Sequence, residues 1–125
     1  MRTLPRLLRV VNLDTREVFT LFVKSIDEAY LALPISKSDD IEFEWVMAPA
    51  KDGSNETYPI YMLRDIPKTT YFRTVNCGTL NISNSIYVRY EYDRCAKMYY
   101  CLSVTDIASE RKFKSTQWVI TDFTY

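Results

Sequence analysis

The chain has 125 residues, 16 basic and 16 acidic side chains, 47% apolar residues, no histidine and two glycines, which is the size and polarity of one domain spanning residues 1–125. Without histidine it has no Ser-His-Asp triad, Cys-His pair or Cys/His zinc set; with only Gly53 and Gly78 it has no P-loop, GxGxxG turn or G-x-S-x-G elbow. The neutral total is a cancellation: residues 1–24 carry five positive and two negative charges, 25–66 three and nine, and 67–125 eight and five.

Residues 7–13 and 17–23, rich in β-formers, predict a hairpin that turns at Asp14-Thr15-Arg16. Arg2, Arg6 and Arg9 would share a helical face, as in a targeting presequence, but Pro5 and the β-like run favour a first strand. Ser25-Ile26-Asp27-Glu28 is a capping box, in which the Ser25 hydroxyl accepts from the Glu28 amide while Glu28 reaches back. It predicts one short helix near residues 26–33, with Ile26, Tyr30 and Leu33 on one face and Pro34 ending it.

Residues 41–47 alternate cleanly, with Ile41, Phe43, Trp45 and Met47 on one side and Glu42 and Glu44 on the other. Residues 48–57 read as a polar loop containing Asp52-Gly53. Residues 58–64 and 71–75 predict strands joined through Asp65-Ile66-Pro67-Lys68, and Pro59 confines its strand to a sheet edge or a strand end. Residues 80–85 form a short strand or a loop. Residues 85–93 and 97–104 predict the clearest hairpin, with Asp93-Arg94-Cys95-Ala96-Lys97 between them, and a last strand covers 113–123 after a polar stretch at 105–112. The expected fold is α+β and mainly antiparallel β, with about eight strands in a half-barrel or sandwich and the helix closing one end.

Two surfaces stand out as candidate sites. On the late hairpin, Ile86, Val88, Tyr90 and Tyr92 share one face with Met98, Tyr100, Leu102 and Val104. The opposite face carries Tyr87, Arg89, Glu91 and Asp93 beside Lys97, Tyr99, Cys101 and Ser103. Aromatic rings beside Arg and Lys on a sheet can stack bases and neutralise phosphates, so Tyr87, Arg89, Tyr99 and Lys97, extended by Arg94 and Arg73, form a candidate partner or nucleic-acid face. Glu91, Asp93 and the neutral total favour the plainer alternative, a solvated strand face held by cross-strand pairs. The second surface is Asp39, Asp40, Glu42 and Glu44, which lacks the D-x-D-x-D-G pattern of a calcium loop and reads as an acidic docking surface or as edge protection. Neither surface implies a metal or a cofactor.

Cys77, Cys95 and Cys101 read as free, mostly buried thiols of a reducing, cytoplasmic compartment, and no apolar run approaches the roughly 18 residues of a membrane helix. Cys95 lies beside Arg94 and Lys97, a setting that lowers a thiol pKa, but no general base accompanies it. The Asn-x-Ser/Thr patterns at Asn55 and Asn81 mean little without a secretory signal.

Residues 10–29, Val-Val-Asn-Leu-Asp-Thr-Arg-Glu-Val-Phe-Thr-Leu-Phe-Val-Lys-Ser-Ile-Asp-Glu-Ala, resemble the strand–turn–strand–Ser-Ile-x-Glu-Ala opening of small DNA-binding modules found beside phage-type homing endonucleases. That resemblance implies a basic recognition helix next. The chain instead continues acidic and strand-like through Pro34–Glu44, so the likeness is confined to a hairpin and a helix cap.

Ten tyrosines suit an interface, because each ring supplies apolar area and a polar tip. The leading expectation is a non-catalytic protein-binding module, in the form of a small phage or viral accessory protein that inhibits or modulates a host macromolecule. A single-stranded RNA or DNA binder and a virion or assembly subunit that forms homo-oligomers are the alternatives.

Overall fold

The computed structural model describes residues 4–50, 55–104 and 109–121. Among them the chain forms a mainly antiparallel α+β fold with strands in three sheets and a single α-helix. The first sheet contains β1 (Arg6–Asn12), β2 (Val18–Val23) and β3 (Ile41–Trp45) in the order β2-β1-β3. Alternation turns Leu8, Val10 and Asn12 of β1 to the same side as Phe43 and Trp45 of β3, and α1 (Ile26–Ala32) covers that side. Ala29 is the helical residue driven fully into this core, with Val23, Leu33 and Ile35 around it, while Ile26 sits at the rim.

The capping box forms with one change of detail. Ser25 Oγ accepts from the Glu28 amide at 3.4 Å, but Glu28 Oε2 accepts from the Lys24 amide at 3.0 Å, one residue before the cap. The helix is already closed at Leu33, whose amide donates to the Ala29 carbonyl at 3.0 Å, so Pro34 follows a finished helix. The chain then returns as β3 beside β1, where the resemblance noted above calls for a second helix.

The predicted strand 41–47 breaks at Val46, whose amide donates to the Leu7 carbonyl at 3.0 Å. Beyond it, β4 (Met47–Pro49) and β5 (Thr57–Pro59) pair as a two-stranded ribbon, so the flanks of the expected polar loop are strands; Asp52-Gly53 lies outside the described residues. Pro59 ends β5, a position where its missing N–H costs the ladder nothing.

The large sheet has the order β10-β9-β8-β7-β11-β6. Its members are β6 (Tyr61–Met62), β7 (Tyr71–Thr74), β8 (Tyr87–Asp93), β9 (Met98–Ser103), β10 (Glu110–Lys114) and β11 (Trp118–Ile120). The expected last strand, 113–123, is therefore two: β10 pairs with β9, and after a turn β11 crosses to lie between β7 and β6. Residues 122–123 of that expectation lie outside the described residues. Residues 80–85 contribute one isolated bridge, Ile82 to Val75.

Two further cores flank the large sheet. Leu63 and Ile66, from a 3-10 turn at Leu63–Asp65 and the residue after it, pack on Phe72, Tyr87, Cys101 and Val119 against one face. On the other side, Leu7, Ala48, Ile60, Val75, Ile82 and Ile120 form a cluster that also takes in Phe22 and Trp118, whose rings meet edge-on at 5.8 Å.

One turn recurs three times. Asn12, Asn76 and Asp93 each place a side-chain Oδ1 to accept the amides two and three residues on, at 2.8–3.2 Å. In each, the fourth residue after the Asx is left-handed: Arg16 at φ 65°, Leu80 at 62° and Lys97 at 57°.

Candidate binding faces of the large sheet

The late hairpin forms as expected, but the faces are exchanged. Tyr87 lies opposite Phe72 on β7 and Ser103 on β9, and its ring packs on Phe72 at 5.8 Å and Phe113 at 5.0 Å. It is 5% exposed, with its hydroxyl accepting from Arg111 at 3.4 Å, so its ring has no face left for a base to stack on. Cys101 and Ser103 are buried in the same row. The row expected to meet a partner thus turns its middle to the core, because the 3-10 turn at Leu63–Asp65 packs against that side.

A β-bulge alters the row at its far end. Arg89 pairs with Cys101 and Tyr92 with Tyr99, so Tyr90 and Glu91 together span one position of β9. Beyond the bulge Tyr92 joins the side of Arg89 and Tyr99, and Asp93 moves to the other. Arg89 lies over the Tyr99 ring at 4.1 Å and Tyr92 leans on that ring at 4.9 Å. The buried Arg89 Nε has no hydrogen-bond partner among the described residues. Arg73 follows Phe72 by one residue and so projects from the opposite face, apart from Arg89 and Tyr99. Arg94 and Lys97 are exposed in the turn at the hairpin's end.

Asp93 organises that turn. Its Oδ1 accepts from the Cys95 and Ala96 amides, and its Oδ2 accepts from the Tyr100 hydroxyl at 3.0 Å and from Lys112 Nζ at 3.3 Å. These bonds, the Ala96 amide first, hold its carboxyl below the usual aspartate value. Glu91 is likewise lowered, by its pairing with Lys68. Cys95 thus sits in a turn already occupied by a carboxylate, and, against the expectation of mostly buried thiols, Cys77 and Cys95 are both exposed in turns while Cys101 is buried. Burial pushes the Cys101 thiol up to about 12 against the opposing pull of Arg89, so it stays protonated and unreactive.

The acidic quartet divides. Glu42 and Glu44 share the exposed face of β3, with Glu44 opposite Arg9 at 3.9 Å, and they line an open groove of about 310 Å³ with Arg9, Val11 and Phe43. Asp39 is structural: its Oδ2 accepts from the Ser36 amide at 3.0 Å and from Asn12 Nδ2 at 3.3 Å. Asp40 lies in the adjoining loop, its amide donating to Asp14.

The outward face of the large sheet carries the hairpin's other row, joined by Tyr71 of β7. Tyr71, Val88 and Leu102 form one row across β7, β8 and β9, with Val88 at its centre buried beneath its neighbours, and Val104 and Tyr90 stand beside it. Tyr71 is 44% exposed, Tyr90 37%, Leu102 39% and Val104 47%. Tyr100, beneath Lys112 at 4.7 Å, and the charged side chains of β10 border it.

No helix among the described residues is long and apolar enough to cross a membrane. Comparison of the chain with models of protein families, with curated proteins and with solved structures gave no match.

Proposed function

We propose that this chain is a non-catalytic protein-binding module whose docking face is the outward side of β7, β8 and β9. The observation that carries this reading is the group of exposed Tyr71, Tyr90, Leu102 and Val104 around the buried Val88, bordered by Lys112, Glu110 and Lys114. Contiguous apolar side chains with a charged rim are the composition of a protein interface, and tyrosine is enriched there. An inhibitor or modulator of a host macromolecule, of the viral accessory kind, is the form of this function that suits a small neutral domain. The test is capture of a stoichiometric partner from a native host lysate by the natural chain and by Leu102→Lys/Val104→Lys. Circular dichroism must first show both folded. The partner is expected to be lost with the variant; a partner retained at equal yield would remove this face from consideration.

A second reading, single-stranded nucleic-acid binding, draws on the cluster of Arg89, Tyr92 and Tyr99, with Tyr92 42% exposed. It expects binding that weakens steeply with salt and is lost on Tyr92→Ala but not on Tyr71→Ala.

A further inference from the structure

Among the described residues, β10 ends the sheet order and bonds to β9 on one side only. The Ser103 amide donates to the Ser109 carbonyl at 2.9 Å, and the register continues with Cys101 opposite Arg111 and Tyr99 opposite Phe113. Antiparallel alternation therefore directs the backbone groups of residues 109, 111 and 113 to β9, and those of Glu110 and Lys112 outward together with the Lys114 amide; the Lys114 carbonyl accepts from the Gln117 amide at 3.0 Å in the turn that follows. The outward set carries one acid and two bases in the order Glu, Lys, Lys at every second residue.

We propose that β10 is a self-pairing edge, on which a second copy of this chain adds antiparallel about a two-fold axis at Lys112, setting Glu110 of each copy opposite Lys114 of the other.

Three observations select that arrangement. The outward amides and carbonyls of 110 and 112 and the outward amide of 114 belong to the residues this register makes into pairs, so the Lys112 pair can exchange both bonds and each Lys114 amide can donate to the Glu110 carbonyl of the other copy. Both flanking pairs are of opposite charge, and on the other face Arg111 falls opposite Phe113, a contact the chain already makes within β10 at 5.1 Å. The single like-charge meeting, Lys112 with its counterpart, is compensated inside each copy, because Lys112 Nζ turns back to Asp93 Oδ2 at 3.3 Å and lies over the Tyr100 ring. Lysines on an edge ordinarily repel a chance strand. Here they repel any strand that lacks an acid at the matching place, so the edge prefers its own sequence.

The axis stands perpendicular to the sheet, so two outward faces would join side by side as one surface. The inference rests on β10 alone and is independent of what that face binds.

Sedimentation velocity across a concentration series to about 1 mM at low ionic strength tests it, in the range where small interfaces act. The natural chain is expected to dimerise reversibly, and more weakly as salt is added. Glu110→Lys alone and Lys114→Glu alone should each weaken the dimer at least about tenfold, by opposing like charges twice. An equimolar mixture of those two variants should form a heterodimer, since both cross-pairs then become Lys against Glu. Lys112→Pro should abolish pairing by removing the outward amide on the axis. A natural chain that stays monomeric throughout, or a dimer indifferent to the two charge variants, would overturn the proposal.

Discussion

At the residue scale, the three Asx turns rest on one side-chain oxygen and one left-handed residue each, and the residue types set their cost. Arg16 and Lys97 are exposed, so replacing either with glycine removes the Cβ clash of the left-handed conformation and loses no buried surface. Arg16→Gly and Lys97→Gly should each raise stability in urea denaturation, by up to about 1 kcal/mol. Leu80→Gly should not, because Leu80 packs on the cluster around Ile60 and Val75. Asn12 and Asn76 differ in surroundings. Asn12 is buried, accepts from the Asp14 and Thr15 amides and donates to Asp39, so Asn12→Ala orphans groups that water reaches poorly. It should cost about 2–3 kcal/mol, against about 1 kcal/mol for Asn76→Ala at an exposed turn. The same denaturation series compares the two.

At the element scale, the late hairpin shows what was readable in the chain and what was not. Alternation in residues 85–104 gave the two rows correctly as far as Arg89, since a strand's period of two is local. Which row faces inward depends on where the 3-10 turn at Leu63–Asp65 packs, a contact between segments far apart in sequence, and both rows hold aromatic and aliphatic residues. Alternation alone therefore does not decide that Tyr87 faces the core and that Tyr71 and Leu102 face outward. The bulge at Tyr90 and Glu91 has no glycine to mark it, so the reassignment of Tyr92 and Asp93 had no local signal. Glu42 and Glu44 were readable, because β3 alternates without interruption. The hairpin's turn also carries a pH dependence. Asp93 has a lower pKa folded than unfolded, so its stabilisation is present above the unfolded value near 3.8 and is lost as pH falls through the folded one. Asp93→Asn keeps an acceptor for the two amides but loses the charge paired with Lys112. The stability gap between the natural chain and this variant, measured from pH 7 downward, should narrow below about pH 4. A gap constant across that range would assign the effect to geometry alone.

At the scale of the whole molecule, the cluster of Leu7, Ala48, Ile60, Val75, Ile82 and Ile120 draws on the first sheet, the ribbon and the large sheet together. Leu7→Ala should cost about 2–5 kcal/mol and lower the melting of every element at once. The two tryptophans provide the check, Trp45 in the first sheet and Trp118 in the large one. Variants retaining only one of them, Trp118→Phe or Trp45→Phe, should report the same midpoint before and after the Leu7 substitution; separate midpoints would mean that the sheets unfold independently. β11 adds an order in time to this arrangement. It lies inside the large sheet, and among the described residues β6 pairs there with it alone, yet it follows the other described strands along the chain. On the ribosome, a nascent chain that has not yet released Trp118–Ile120 holds β6 and β7 apart by the width of one missing strand, with Val75 and Leu7 still open to water. Folding of the large sheet therefore waits until β11 has left the ribosome, and until then the chain exposes unpaired strands to chaperones.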